Sequence, residues 1–438
     1  MNFPDKMPTF SIKTLGCKVN QYETQLMRER LDENGFEEVS LAQEADYFII
    51  NSCTVTHKAD RDTRNLINHF HRVNPAGKII VAGCYTEMKK DRDLLYNLPG
   101  VTSFVPNREK ENIAEILKAP FLPKTIKSPN TESKKSTYIK KFKGHNRAFI
   151  KIQDGCNHRC SYCKVSLVRG KSISRNEHEI LKEIKKVLSV GFQEIVLTGI
   201  CLGAWGYDIS KETSLSNLLE RISNINGNFR IRLSSIEPLY VTDRLIELVC
   251  DNKKVCKHLH IPLQSGDDKV LMKMNRPYKI KDFSRLVKKI RRRIPEVAIT
   301  TDILLGFHGE DEKSFKKTIG FIKKIKPSRI HIFSYSKREG TPAANYTGAL
   351  DNVAIKERMK KLSSIALFLQ HDFAKKFIGK KETVLVENKR ERESALLTGY
   401  TDHYVRAFLD GPDSLKNRIV TAKIIGFMGD KSAVLALP

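Results

Sequence analysis

Cys156, Cys160 and Cys163 stand at C-x3-C-x2-C spacing in the stretch GCNHRCSYCK, residues 155–164. Three thiolates so placed can hold three irons of a cubane iron-sulfur cluster and leave the fourth iron without a protein ligand. An open metal position is what separates a catalytic metal site from a structural one. The competing reading is a zinc knuckle with His158 as the fourth ligand. His158 lies between two of the cysteines, however, and would have to fold back into a very tight chelate; no second Cys-x2-Cys pair is present to complete a four-thiolate site. Chance clustering is the remaining alternative, and intracellular chains seldom crowd thiols without a metal or redox reason.

A second set is dispersed along the chain. Residues 8–120 read as a small α/β unit with apolar strands at 9–15, 46–51 and 78–82 and helical patterns such as 24–34 between them, an alternation that implies an open parallel sheet. The strands end at Gly16-Cys17, Ser52-Cys53 and Gly83-Cys84. Because the carboxyl ends of parallel strands face one crevice, Cys17, Cys53 and Cys84 can converge there. Three unrelated buried thiols are the alternative.

The first set must be held by a larger unit. Residues 121–143 carry Pro123, Pro129 and an excess of lysine, and read as a basic, solvated linker. From 144 to 370 the chain repeats strand then helix six times, with strands at 148–152, 194–197, 230–233, 258–263, 298–305 and 329–333. Helices follow at 177–190, 215–223, 243–250, 281–294 and 312–325. This predicts a partial (β/α)6 barrel whose chemistry sits at the carboxyl ends of its strands, where polar and glycine residues gather: Thr198-Gly199, Ser234-Ser235, Gln264-Ser265-Gly266. His258 and His260 share one strand face, which suits packed, hydrogen-bonded histidines or ligands. Residues 371–438 change to short β-rich runs typical of a small β-barrel, in which Lys389, Arg390, Arg392 and Arg406 with Tyr400, Tyr404 and Phe408 could offer charge and stacking to RNA.

Composition narrows the partners. The chain has 438 residues and a formal net charge of +27, which predicts a polyanion, most simply a nucleic acid. No apolar run approaches the roughly 20 residues of a membrane span, and the first residues lack a signal-peptide core, so no membrane and a cytoplasmic location are expected. Nine cysteines in a reducing compartment argue for metal ligation over disulfides.

With the aromatic Tyr162 before its last cysteine, the C-x3-C-x2-C stretch resembles the signature of radical S-adenosylmethionine (SAM) enzymes. In that family the open iron of a 4Fe-4S cluster chelates SAM, and an electron from the cluster cleaves it to a 5'-deoxyadenosyl radical. TLGCKVNQYET, NSCTVT and VAGCY resemble the amino-terminal domain of methylthiotransferases, and LTGICLG, RLSSIEP, HLHIPLQSGDDKVLMKMNRPY, TTDILLGFHGE and HIFSYSKREGTPA resemble later motifs of the same family. The resemblance implies two 4Fe-4S clusters, one on Cys156, Cys160 and Cys163 and a sulfur-carrying one on Cys17, Cys53 and Cys84. It implies SAM contacts from Tyr162, Thr198, Gly199, Ile200, Glu237 and Gln264, and a carboxyl-terminal TRAM domain that binds RNA. Two positions depart from the family pattern: Ser166 replaces a usual proline, and His308 stands in GFHGE where GFPGE is usual.

The wording TLGCKVNQYE resembles the branch that acts on threonylcarbamoyladenosine in tRNA. It implies insertion of a methylthio group at carbon 2 of that nucleoside, at position 37 in the anticodon loop, by a monomer reduced by a flavodoxin or ferredoxin. Methylthiolation of isopentenyladenosine or of a ribosomal-protein aspartate are the related alternatives, and a non-catalytic iron-sulfur RNA-binding regulator is the alternative of another class. Arg169 and Arg175, beside the cysteine loop, are candidates for phosphate contacts, and Arg276 and Arg338 for the threonylcarbamoyl carboxylate.

Overall fold

A computed structural model describes residues 7–40, 42–119, 139, 142, 144–348, 350–428 and 434–437. The amino-terminal unit is a five-stranded, wholly parallel sheet in the order β2-β1-β3-β4-β5, from β1 (Thr9–Thr14), β2 (Glu37–Glu38), β3 (Tyr47–Ser52), β4 (Lys78–Gly83) and β5 (Val101–Val105). Helices α1 (Lys18–Glu33), α2 (His57–Val73), α3 (Lys89–Tyr96) and α4 (Ile113–Lys118) connect and cover it. Strand interiors such as Phe48-Ile49-Ile50 and Ile79-Ile80-Val81 are fully buried, as expected where helices cover both faces of a sheet.

The second unit has six parallel strands: β6 (Ala148–Asp154), β8 (Glu194–Gly199), β9 (Arg230–Leu233), β10 (His258–His260), β11 (Ala298–Leu305) and β12 (Arg329–Ser334), with the short antiparallel β7 (Ile173–Ser174) on the edge of β6. Hydrogen bonding divides them into a β7-β6-β8-β9 sheet and a β10-β11-β12 sheet, joined by single bridges at Ile231–Val255 and Ser235–His260. The curved wall is therefore an incomplete barrel. Helices α5 (Val165–Arg169), α6 (Glu177–Ser189), α7 (Leu215–Ser223), α8 (Asp243–Asp251), α9 (Asp268–Lys273), α10 (Ile280–Arg293) and α11 (Glu312–Ile325) alternate with the strands. Helix α12 (Asn352–Lys375) leads to a closed barrel of β13 (Lys381–Arg390), β14 (Leu397–Thr401), β15 (Arg406–Leu409), β17 (Val434–Leu437) and β16 (Ile419–Phe427), in that order round the ring. No helix among the described residues is long and apolar enough to cross a membrane.

Most strand expectations agree within a residue or two, with β10 the exception: it stops at His260, three residues short, as Pro262 just beyond has no N–H for the ladder and Gln264 then turns to a left-handed φ of 67°. The stretch expected to be a solvated linker lies mostly outside the described residues. Its two described members, Ile139 and Phe142, are buried in the main core against Tyr22, Leu26 and Phe149.

Helix α1 belongs to two cores at once. Met27 and Leu31 pack under the amino-terminal sheet, whereas Tyr22 and Leu26 join the barrel core. Between those faces Glu23, 2% exposed, accepts from Lys110 at 2.5 Å, Lys151 at 2.7 Å and both terminal nitrogens of Arg169 at 2.8 and 3.0 Å. Burial pushes the Glu23 carboxyl up, but Arg169, Lys110 and Lys151 outweigh it and hold the group well below its ordinary 4.5. The stabilisation is thus complete above that ordinary value and is lost only as pH falls through the depressed one. Replacing Glu23 by Gln leaves buried Lys110 without an acid and Lys151 and Arg169 with Asp154 alone, and we expect about 3–5 kcal/mol of lost stability in urea unfolding at neutral pH. A loss below about 1 kcal/mol, the range of exposed pairs, would show that the network is incidental to the docking of the two units.

Candidate iron-sulfur centres and the cavity beside them

The loop between β6 and α5 carries the clustered cysteines. It turns at Gly155, which has φ of 69° and lies so close to the next segment that a Cβ would stand 1.9 Å from the carbonyl oxygen of Lys171. Cys156 N donates to Gly170 O at 3.0 Å, and Cys163 N to Cys160 O at 3.1 Å. Ser161 pins the middle of the loop to α9 through Met274 O and Lys273 O. All three thiols are free, and they line a hollow of about 720 Å³ with His158, Ser166 and Thr341.

Arg276 reaches this loop from beyond α9. It donates to Cys160 Sγ at 3.2 Å and pairs with Glu237, so both residues are occupied beside the cysteines. A hydrogen bond from the Cys201 thiol lowers Cys156 to about 7, against burial, with help from His158 N–H; burial pushes Cys163 up to about 12 and also raises Cys160. Cys201, an ordinary thiol by its sequence context, is therefore a neighbour of the loop. Nothing in its spacing pointed there, since strand β8 delivers it from another part of the chain.

The dispersed set converges at the carboxyl edge of the parallel sheet. Thr14 pairs with Asn51 and Ser52 with Gly83, so the residues just beyond three adjacent strands are Cys17, Cys53 and Cys84 in neighbouring positions. Gly16, at φ of 98°, allows the approach: a Cβ there would lie 2.7 Å from Cys53 Cβ and 2.9 Å from its sulfur. Cys84 Sγ accepts from Arg169 Nε at 3.3 Å, and Arg169 also donates to Asn20 Oδ1 at 2.6 Å. Burial pushes Cys53 up to about 12 and raises Cys17, where Arg169 pulls the other way.

These residues meet the barrel across a second cavity, of about 590 Å³. One side is formed by Cys17, Cys53, Cys84 and Lys18. The other is formed by Thr198, Gly199 and Ile200 with the barrel's inward side chains, and the floor is Tyr404 of the small barrel. Helix α5 separates the two hollows, with Val165 and Arg169 on this side and Ser166 and Leu167 on the other. Gly199 packs on Gln153, and a Cβ would come within 2.9 Å of its Oε1. Gln264 and Tyr162 line neither hollow. Gln264 is held by backbone bonds to Asp302 and Leu304, and Tyr162 packs on Phe307.

The donor sets suit clusters better than single ions. A tetrahedral zinc with bonds of about 2.3 Å brings its sulfurs within about 4 Å of one another. Among the described residues the one trio of His, Cys, Asp or Glu ligand atoms gathered within 4.8 Å is His260, Asp302 and His331, so neither thiol set, with or without His158, has that compactness.

Several sequence expectations are corrected here. Arg169 and Arg175 do not face a phosphate backbone: both are committed inside the protein, Arg169 to Glu23 and Arg175 to Glu183 at 2.7 Å. Arg276 is taken by Glu237, and Arg338 by Asp60 at 2.6 Å and Thr54 at 2.8 Å, where it ties the barrel to α2. Tyr400 and Tyr404 are not an RNA platform either. They stack on each other and under Arg147 and Arg232, whose partner Glu194 is fully buried. Phe408 is core. His260 and His331 both lie against one oxygen of Asp302, at 3.1 and 3.2 Å, which holds the Asp302 carboxyl down at about 2 despite burial. Asp302 and His331 share the inward alternation of their strands with His260, a signal visible in sequence once the barrel is assumed.

Residues 9–105 match the model described as uncharacterized protein family UPF0004, and residues 150–322 match the radical SAM superfamily. The chain is 35% identical to threonylcarbamoyladenosine tRNA methylthiotransferase MtaB of Bacillus subtilis over 96% of its length and 94% of the relative's. It is 38% identical to the protein of the same name in Thermotoga maritima over 91% of each. The tRNA-2-methylthio-N(6)-dimethylallyladenosine synthase of Aquifex aeolicus is 32% identical over 95% of this chain and 96% of the relative. In fold it resembles the radical SAM methyltransferase TsrM of Kitasatospora setae, with TM-score 0.56, 14% identity and 77% of each chain covered. A radical SAM enzyme works with SAM and a 4Fe-4S cluster, and the sulfur-only donor set on the β6–α5 loop suits such a cluster. By identities of 35% and 38% over 96% and 91% of its length, with the radical SAM match, the chain belongs to the radical SAM methylthiotransferases.

Proposed function

We propose that this enzyme inserts a methylthio group at carbon 2 of threonylcarbamoyladenosine next to the anticodon of tRNA. The observation that carries the reading is the cavity in which Cys17, Cys53 and Cys84 face Thr198, Gly199 and Ile200 at the strand ends of the barrel. The branch is supported by relatives of that name at 35% and 38% identity, against 32% for the dimethylallyladenosine synthase.

In this reading Cys156, Cys160 and Cys163 hold the cluster that works with SAM, and Cys17, Cys53 and Cys84 hold a second 4Fe-4S cluster. When bound, cluster and SAM together supply a carbon radical, which an adenine carbon with no usefully acidic hydrogen requires. The chain's own residues orient and enclose. Arg276 donates to Cys160, and Arg169 to Cys84, so each proposed cluster has a guanidinium that offsets thiolate charge. Thr198, Gly199 and Ile200 contact SAM where β8 ends, while Glu237 fixes Arg276.

Residues 8–120 then form the methylthiotransferase domain, 144–370 the radical SAM domain and 371–438 a TRAM domain for tRNA. The net charge of +27 favours a nucleic-acid substrate. A flavodoxin or ferredoxin supplies electrons to the monomer in the cytoplasm. The target base leaves its stack to enter the cavity, at the low cost of an unpaired loop base.

Anaerobically reconstituted protein should carry about eight irons per chain. Changing Cys156, Cys160 and Cys163 to Ala should halve the iron and abolish 5'-deoxyadenosine formation. Changing Cys17, Cys53 and Cys84 to Ala should also halve the iron yet spare SAM cleavage while ending product formation; undiminished product would make those thiols structural. Nucleoside mass spectrometry of tRNA from a host lacking the gene should show loss of the methylthio form of threonylcarbamoyladenosine and persistence of that of isopentenyladenosine. The reverse pattern would move the enzyme to the other branch.

A further inference from the structure

Six basic side chains line the cavity between the dispersed cysteines and the barrel: Lys18, Arg169, Arg232, His258, His260 and His331. Five are committed. Arg169 is clamped on Glu23, and Arg232 on Glu194 and on the carbonyls of Thr401 and Asp402. His258 and His260 share the Thr300 hydroxyl, at 3.0 and 2.8 Å, and His260 and His331 cover Asp302. Among the described residues, Lys18 is the one of the six without a hydrogen bond or ion pair.

The protein carboxylates around Lys18 already have partners. The three arginines nearby, Arg147, Arg230 and Arg232, already share Glu194 and Glu387. The remaining acid on the cavity wall, Asp302, is capped by two imidazoles. An entering anion would therefore find one ammonium without a carboxylate partner.

Position restricts which anion that is. Lys18 follows Cys17 directly at the start of α1, and both residues line this cavity. On adenine, carbon 2 and carbon 6 flank the same ring nitrogen, and a substituent on the carbon-6 amine projects from that edge. We propose that Lys18 binds the carboxylate of this substituent and so selects carboxylate-bearing adenosines over those with an apolar chain. The inference rests on the threonylcarbamoyl reading above. An isopentenyl group would leave the ammonium without an anionic partner, and sites reject ligands most strongly when their own polar groups are left without partners.

The test measures dissociation constants of the reconstituted full-length protein for anticodon stem-loop RNAs that differ only in the base beside the anticodon: threonylcarbamoyladenosine, its methyl ester, isopentenyladenosine or adenosine. Lys18→Met should weaken the first by about tenfold or more, leave the other three unchanged and erase the difference between acid and ester; Lys18→Arg should retain part of that difference. Iron content and thermal midpoint should match the wild type, and Lys18→Gln repeats the comparison if Lys18→Met loses iron. Equal weakening of all four RNAs would place Lys18 on a phosphate, and no weakening of any would place it on the cofactor side; either overturns the proposal. If the wild-type protein binds the isopentenyl RNA more tightly than the threonylcarbamoyl RNA, the substrate reading falls before Lys18 is reached.

Discussion

The architecture depends on one buried carboxylate. Glu23 lies on the helix that begins at a proposed cluster ligand, Cys17, and it draws together Lys110 of its own unit with Lys151 and Arg169 of the barrel. A buried ion group is a poor source of net stability but a demanding one for geometry, because any misdocking strands a charge away from water. Arg169 extends the constraint to chemistry. Its guanidinium grips Glu23 with its terminal nitrogens and Cys84 with Nε, so the seating of the sheet on the barrel and the charge beside a thiol are decided by the same side chain.

A similar arrangement closes the opposite end of the barrel. Glu194, at the start of β8, collects Arg147, Arg230 and Arg232, and those arginines in turn hold backbone carbonyls of the small barrel at Thr383, Tyr400, Thr401 and Asp402. Tyr400 and Tyr404 lie flat against the guanidinium groups. The small barrel thus plugs the amino ends of the parallel strands, and the amino-terminal sheet covers their carboxyl ends. What lies between is a chamber whose walls come from three parts of the chain.

These networks also explain where the excess positive charge is spent. Several arginines that flank the motifs are internal fasteners, held at fixed positions by carboxylates and carbonyls. Exposed basic residues such as Lys389, Arg392 and Arg406 remain for a polyanion, while Lys18 is left inside the chamber. Rigid placement of the first group is what allows a single unpaired ammonium to discriminate, since a mobile wall would let neighbouring cations share its role.

The sequence by itself determined the local chemistry and the order of elements. Spacing within eight residues makes Cys156, Cys160 and Cys163 neighbours in any fold, and alternation of strand and helix makes the ends of parallel strands meet, which brings Cys17, Cys53 and Cys84 together. Glycines at 16 and 155 mark backbone approaches that admit no Cβ. Only the tertiary structure decided which charges are free. An arginine in sequence has the same charge whether it faces solvent or a buried carboxylate, and the partners of Arg169, Arg276 and Arg338 lie 146, 39 and 278 positions away. The pairing of Cys201 with Cys156, the His260–Asp302–His331 group and the isolation of Lys18 have the same origin. Each is a contact, or the lack of one, between strands or units whose separation along the chain carries no signal until they pack.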